Sequence, residues 1–463
     1  MSIKIFYKYC QIILGGTHLK KINIFNKESN SPSLEASSRR EFFKKTAVYS
    51  AGALSAASVI SPVSAKADDP AIMNEAPWGQ KLGDPVDKNL YGMPSPYEHN
   101  NIRRTHPIFS SGDYYASVAM CPIHESEGII TPNGLFFVRD HGGTAHIDPK
   151  EWRLMIHGKV KKEIVLTLED LQRYPSETRI YFMECPANGA PEWRGPQFNN
   201  LQFMKGLMSA AAWTGVMLKT ILEDVGLDKD AVWMLAEGSD NASNPRTIPV
   251  EKALDDVMVV WAQNGEALRA EQGYPVRLIV PGWEGNLNTK WLRRLEFSDK
   301  PWHSKEETSK YTMLQKSGKA IRYFWVNEVN SVITSPCPEK PWTHLKKGDM
   351  VEIEGIAWSG HGTITGVDIS LDGGNNWKKA SLKGLVLPKS WTRFSYVIKW
   401  DGKPLLLASR ATDDFGNIQP TIDEETSAVG VESVYHRNAI VTWEINKKGE
   451  CNNVQIRKHN KKA

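Results

Sequence analysis

The sequence predicts a mixed α+β domain followed by an all-β sandwich. Three observations carry this expectation. From residue 133 onward, short apolar strand patterns alternate with helical ones. Near residue 322 the pattern changes to one short strand after another, separated by Gly, Asp and Asn turns. Sixteen tryptophans in 463 residues fit a chain rich in β-structure and aromatic-lined clefts. A chain of this length has room for two or three cores.

Residues 1–67 read as a leader. "SSRREFFKK" (37–45) precedes "TAVYSAGALSAASVISPVSAKA", a mildly apolar run ending in Ala65-Lys66-Ala67. That is a basic n-region, an h-region and a small-x-small cleavage site, and with Arg39-Arg40 it matches a twin-arginine export signal. The h-region is broken by Gly and Ser and falls short of the ~20 apolar residues that span a bilayer. Export to the periplasm is therefore expected, with no stable membrane span. The leader holds ten Lys/Arg against three acids, or +7, which leaves 47 basic and 50 acidic groups for the remainder. A balance of −3 on the folded part argues against a nucleic-acid partner. Loss of the leader removes Cys10 and leaves Cys121, Cys185, Cys337 and Cys451. Three full pairings of these are open, although their wide spacing is unlike a disulfide scaffold. No C-x-x-C-H occurs, so no c-type haem is expected in this chain.

Residues 68–110, rich in Pro, Gly and Asn, read as an extended arm. The mixed domain is expected over 111–321. Within it "LTLEDLQRYP" (166–175) predicts a helix with Thr167 as N-cap, acidic Asp170 at N3 and a stop at Pro175. "WTGVMLKTILEDVGL" (213–227) places Val216, Met217, Ile221, Leu222 and Val225 near helical spacing, closed by Gly226. "AVWMLAEG" (231–238) and "YPVRLIVPG" (274–282) read as strands, with a helix over 249–265 between them. Over 322–445, "MVEIEGIAWSG", "ITGVDISLDGG", "WTRFSYVIKW" and "LLLASRATDDFGN" read as strands of an immunoglobulin-like β-sandwich. Val367, Ile369 and Leu371 alternate with Asp368, Ser370 and Asp372, as a half-buried strand requires. The Lys- and Asn-rich residues 446–463 read as a loose tail.

The stretch "YFMECPANGAPEWRG" (181–195) raises the functional question, because an apolar run ends in one cysteine and breaks at once into a turn. Alone, Cys185 is either a packed small hydrophobe or a soft metal ligand on a rigid loop. The chain also carries, in order, "FFVRDH" (136–141), "MECPANG" (183–189), "AEGSD" (236–240), "NGEALRAEQGYPVRLIVPGWEGNLNTKWLRRLEF" (264–297) and "EETSKYT" (306–312). This series resembles the sulfite oxidase family of molybdenum-cofactor enzymes across nearly all of the exported part. "ECPANGAPEWRG" and "EETSKYT" look most like the molybdenum subunits of bacterial Sox sulfur-oxidation systems.

The resemblance implies a molybdopterin-binding catalytic domain followed by a dimerisation domain. It puts Cys185 on the position of the molybdenum ligand, where a thiolate suits a metal already held by the two sulfurs of the pterin. Arg139 falls near the substrate oxygens, and His141, with Gly142 and Gly143 after it, near the pterin. Asp240, Gln272, Arg277, Asn288, Thr289 and Lys290 fall on positions that hold the pterin and its phosphate, Gln272 standing where vertebrate enzymes have histidine. Arginine as a bidentate fork and lysine as a point charge both suit a phosphate. Tyr311 aligns with a tyrosine beside the metal.

The activity implied by the resemblance is a two-electron oxidation of a reduced sulfur centre, with the electrons leaving singly to a c-type cytochrome. That partner must be a separate chain, and the assembly is expected to be a homodimer or a heterotetramer with the cytochrome. The competing class, an exported binding module with a merely structural first domain, would carry no molybdenum. The related nitrate reductases are fused to haem and flavin domains, and no haem, flavin or nicotinamide motif occurs in this sequence. One departure from the family bears on the substrate. Vertebrate and plant sulfite oxidases follow the ligand cysteine with x-Gly-Asn-Arg-Arg. Here Asn188 is kept, but Gly189 and Ala190 replace both arginines, and Val429-Gly430 replaces a further arginine-glycine pair. A free dianion entering such a site sheds water with few charges to replace it. The expected substrate is therefore sulfane sulfur on a carrier protein, with free sulfite as the alternative.

Overall fold

In the strand Glu177–Glu184 burial deepens along the chain, from exposed Glu177, Thr178 and Arg179 to fully covered Tyr181–Glu184. It pairs antiparallel with Met208–Met217, in register from Glu177↔Gly215 to Glu184↔Met208. Met258–Gln263 continues this sheet, and both Glu266–Ala267 and Arg277–Ile279 lie against Met258–Gln263. These elements belong to a computed structural model that describes residues 90–105, 118–433 and 435–457, together with Gln80 and Leu82. The expected leader and much of the arm lie outside the described residues. Among the described residues no helix is long and apolar enough to cross a membrane.

A second five-stranded sheet has the order Ile164–Leu166, Leu154–Gly158, Leu292–Ser298, Trp233–Gly238, Arg246–Pro249. Its 154–158 and 292–298 strands run parallel, and its other pairs run antiparallel. Between the sheets lie short helices. Leu168–Gln172 has the predicted capping box: the Thr167 hydroxyl accepts from Asp170 N at 3.1 Å, and the Asp170 carboxylate accepts from Thr167 N at 3.0 Å.

Two predicted helices are shorter than their periodicity suggests. Residues 213–217 finish a strand, and the helix covers Leu218–Val225, closing at Gly226 with φ +71°. The expected helix over 249–265 is a helix only at Val250–Asp255, and Met258–Gln263 is a strand. The reason is the run Val257-Met258-Val259-Val260, all fully buried. β-branched side chains favour the pleated surface, and a strand covered on both faces is continuously apolar rather than alternating. The 274–282 strand narrows to Arg277–Ile279.

The predicted sandwich is present. One sheet has the order Asn330–Ser335, Met350–Trp358, Thr392–Lys399, Ser381–Lys383. The facing sheet has the order Lys378–Lys379, Ile364–Ser370, Leu405–Asp413, Thr442–Ile445, Cys451–Val454. Trp358, Trp391 and Trp443 are wholly buried in it. The expected loose tail needs correction for its described part. Cys451–Val454 pairs with Thr442–Ile445 across the turn at Asn446–Glu450, and Asn453 Nδ2 donates to Glu192 Oε2 at 2.9 Å. Buried Cys451 and this hydrogen bond give the polar-looking segment a reason to be ordered. Cys121, Cys185, Cys337 and Cys451 are all buried and unpaired.

One apolar cluster runs without interruption from Phe182, Cys185, Met208 and Trp213 of the first sheet to Trp358, Trp443 and Cys451 of the sandwich. Polar links cross the same boundary. Trp358 Nε1 donates to Glu184 Oε2 at 2.7 Å, Trp193 Nε1 to Tyr435 O at 2.6 Å, and Lys205 Nζ to Arg437 O at 3.1 Å. Glu184 is 1% exposed, and burial pushes its pKa up. Removing one of its donors leaves a buried carboxyl under-satisfied, at a cost of about 1–3 kcal/mol. Trp358→Phe should therefore lower the unfolding free energy by that amount, read as a lower urea midpoint with an unchanged m-value. An unchanged midpoint would show that the boundary bond contributes nothing.

Candidate active site

Cys185 is the first residue beyond the strand Glu177–Glu184, and its backbone is fixed from both sides. Its N–H donates to Leu207 O and its carbonyl accepts from Asn188 N, each at 2.9 Å. Gly285 backs the loop, since a Cβ there would stand 3.1 Å from Glu184 O and 3.4 Å from Cys185 Cα. Burial pushes the free thiol up to about 11, against the pull of Arg139 and the Ala187 N–H. The thiol opens into a cavity also lined by Arg139, His141, Asp240 and Tyr311. Gln272, Arg277, Asn288, Thr289 and Lys290 line it as well. The structure thus gathers ten of the twelve sequence-derived candidates around one space.

The other two, Gly142 and Gly143, shape the wall without lining it. A Cβ at Gly142 would meet Ala242 N at 2.8 Å and Asp240 Oδ2 at 3.2 Å, so glycine is needed for the two loops to touch. Gly143, at φ +79°, donates its N–H to Asp140 Oδ1 at 3.1 Å. Asn288 lines the cavity, but its side chain is committed to the backbone. It accepts from Val280 N at 2.7 Å and donates to Glu284 O at 3.1 Å. Asn288 therefore builds the turn on which Thr289 and Lys290 sit.

Arg277 is the most informative cation. It is 2% exposed, and no acidic side chain pairs with it among the described residues. Its donors go to Gln272 O, Asn288 O (both 3.0 Å) and Gln272 Oε1 (3.2 Å), while its Nε is buried without a partner. Burial pulls its pKa down to about 9. A buried guanidinium without a counter-ion is costly unless an anion completes it. Lys290, pulled down to about 8 by burial, lies nearby with Nζ on Glu271 O at 3.0 Å and 3.8 Å from Asp140. The hydroxyl of Thr289 is buried and unpartnered. Two cations and an open hydroxyl are the donor set that a phosphate requires.

At the other side of the cavity His141 Nε2 and the Tyr311 hydroxyl share a hydrogen bond of 2.9 Å. Burial, then Arg139 and Lys310, lower the His141 pKa to about 4, so its imidazole is neutral near pH 7. Burial raises the Tyr311 phenol, which keeps its proton. The Arg246 guanidinium lies 4.5 Å from the centroid of the Tyr311 ring. Sequence reasoning missed Glu284 and Tyr435. Glu284 is fully buried, hydrogen-bonded to Asn286 and Tyr435, and pushed up to about 8 by burial. Its signal was a lone acid inside the apolar run "IVPGWEGNL". Tyr435 lines the cavity from the sandwich side, a placement that no local pattern announces.

These residues fit a molybdenum-pterin group. Among the described residues no three His, Cys, Asp or Glu side chains gather to hold a metal by themselves. Cys185 thus offers one soft donor, and a metal here would take its remaining ligands from a cofactor. Arg277, with no acidic partner among the described residues and a free Nε, offers that cofactor an anion site together with Thr289 and Lys290. Arg277→Met should therefore act in opposite directions. It should raise the urea midpoint of the cofactor-free protein and lower the molybdenum recovered per chain. A lowered midpoint with undiminished molybdenum would contradict the anion-site assignment.

Comparison with known proteins agrees with this geometry. Residues 141–306 match the oxidoreductase molybdopterin binding domain family, and residues 322–443 match the Mo-co oxidoreductase dimerisation domain family. Mitochondrial sulfite oxidase of Mus musculus is 30% identical over 322 residues, 64% of this chain and 58% of that protein. The NADH nitrate reductase of Solanum lycopersicum is 30% identical over 333 residues, 63% of this chain and 36% of that one. The chain thus spans less than two thirds of the length of these relatives. The crystal structure of the sulfane dehydrogenase SoxCD from Paracoccus pantotrophus superposes with a TM-score of 0.81 at 46% identity, covering 84% of this chain and 99% of that chain. On the cavity, the two matched domains and this likeness, the chain belongs to the sulfite oxidase family of molybdenum-cofactor oxidoreductases.

Proposed function

We propose that this protein oxidises a reduced sulfur centre, in the first place sulfane sulfur attached to a carrier protein, and passes the electrons to a c-type cytochrome. The observation that carries this reading is a buried thiol, Cys185, sharing a cavity with an anion site whose Arg277 has no acidic partner among the described residues. When bound, the molybdenum cofactor supplies the two-electron oxidation chemistry. Cys185 would ligate the metal; Arg277, Thr289 and Lys290 would hold the phosphate. Gln272, whose Nε2 donates to Phe137 O at 2.9 Å, fixes the wall between them. Arg139 and Lys310 line the side shared with Tyr311 and would attract oxygen-bearing sulfur groups. Neutral His141 holds the Tyr311 hydroxyl in place through their shared hydrogen bond.

The preference for carrier-bound sulfur rests on the missing arginines. Gly189 cannot be replaced by a larger residue without disturbance, because a Cβ there would meet Lys205 Nζ at 2.8 Å at a φ of +80°. Neither Gly189 nor Ala190 is among the residues that line the cavity. With Arg139 and Lys310 as the lining cations on the substrate side and no arginine pair beside Cys185, a fully charged dianion gains less on desolvation than paired arginines would give it. A sulfur chain on a carrier brings less charge and adds protein contacts. The likeness to a sulfane dehydrogenase supports the same preference. The twin-arginine leader completes the reading: a chain loaded with its cofactor in the cytoplasm would be exported folded to the periplasm.

Two measurements test it. Cys185→Ser should leave a folded protein with activity almost abolished, since a hydroxyl is a harder and poorer ligand than a thiolate. The same change at Cys121, Cys337 or Cys451 should leave the molybdenum content as it was, and near-wild-type turnover in Cys185→Ser would sink the ligand assignment. With a cytochrome acceptor, a protein-borne persulfide should give a kcat/KM at least about tenfold above free sulfite. If sulfite saturates at micromolar concentration and carrier proteins are ignored, the protein is a simple sulfite dehydrogenase.

A further inference from the structure

Among the described residues the sandwich contributes one side chain to the cavity. Tyr435 is 6% exposed and lines the same space as Cys185, Arg139 and Tyr311. Its ring packs edge-on against that of Tyr311, with centroids 5.9 Å apart and planes at 64°. Its hydroxyl donates to Glu284 Oε2 at 2.9 Å and accepts from Asn286 Nδ2 at 3.1 Å. Its carbonyl accepts from Trp193 Nε1 at 2.6 Å, and Trp193 lies in the short helix Ala190–Arg194 that continues the Cys185 loop. The turn that Tyr435 holds through Glu284 and Asn286 contains Gly285, the residue backing Cys185.

We propose that Tyr435 is a positioning residue of the reaction cavity, through which the second domain holds Tyr311 and the 284–286 turn in register with Cys185. Its contacts end on three separate segments, the Tyr311 ring, the 284–286 turn and Trp193 after the Cys185 loop, so its position is over-determined and errors in its seating pass to all three. Its single hydroxyl proton is used on Glu284 and its lone pair on Asn286. The hydroxyl is therefore occupied in holding the walls, and the ring face sets the limit of the space beside Tyr311. A carboxyl buried as fully as Glu284, with its Oε1 already unpartnered, makes the loss of this one donor consequential.

The inference rests on the reading of Cys185 as the molybdenum ligand, and its test separates the two. Tyr435→Phe keeps the ring and removes the hydroxyl; Tyr435→Leu removes the ring as well. For Tyr435→Phe the expectation is a lowered melting temperature with a protein still folded at the assay temperature, wild-type molybdenum content, KM within about twofold, and kcat lower by about tenfold, as small misplacements of reacting groups produce. The thiolate-to-metal absorption band of Cys185 should shift in the same variant, which a purely structural role would not cause. Tyr435→Leu should lose a further factor of about ten in kcat. The proposal is overturned if Tyr435→Phe keeps wild-type kcat and an unshifted band. It is equally overturned if activity falls only in step with metal content and melting temperature. A wild-type protein that binds no molybdenum would overturn the ligand reading, and this inference with it.

Discussion

A buried carboxylate at the end of one strand holds this structure together at its most consequential point. Glu184 closes the strand Glu177–Glu184, precedes Cys185, and takes donors from both domains: Asn188 Nδ2 at 2.8 Å from its own loop and Trp358 Nε1 at 2.7 Å from the sandwich. Because the carboxyl is inaccessible to water, its oxygens must be satisfied by protein, and this requirement dictates where the loop and the sandwich stand relative to each other. The continuous apolar cluster around it follows the same boundary. The second domain is thus part of the scaffold that presents the cysteine, whatever else it does.

The distribution of charge follows from the same logic. Buried cations in the first domain come in two kinds. Lys252 is matched internally, with Asp256 Oδ1 at 2.6 Å and Pro281 O at 3.0 Å. Arg277 has only neutral acceptors, and its remaining Nε has none. The first kind belongs to the fold. The second is a site held ready for something that the chain does not supply, and the desolvation cost of holding it there is returned when an anion arrives.

Much of the site was legible through the ordered motifs of the family resemblance, and the residue types it points to are chemically unusual where they occur. A cysteine at a strand end, an arginine inside "PVRLIV" and a threonine-lysine pair before an apolar strand stand out from packing needs. Gly142 came with the same resemblance, and the structure supplies its reason, since only glycine lets its loop approach Ala242. Asn288 shows the limit of such reading, because its amide is spent on the backbone of its own turn. Glu284 was visible but ambiguous, since an acid in an apolar run is read as a turn residue until its burial is known. Tyr435 was not legible at all, because its partners Trp193, Glu284, Asn286 and Tyr311 are remote in the chain, Trp193 by 242 residues.

By itself the sequence determined the class of fold, the change of architecture near residue 322 and the capped helix at Thr167, because these depend on local periodicity and residue chemistry; it singled out Cys185 through the motifs of the family resemblance. Tertiary structure alone decided that Val257–Val260 is a covered strand rather than helix, since an apolar run satisfies either pattern until both its faces are known to be buried. It also decided that Cys451–Val454 is an ordered edge strand, because the contacts of Asn453 with Glu192 and Phe198 join segments far apart in the chain. The convergence of Cys185, Arg277 and Tyr435 on one cavity was decided in the same way. Side chains from three distant segments meet only when two domains close on a shared core, and no property of any one segment encodes that meeting.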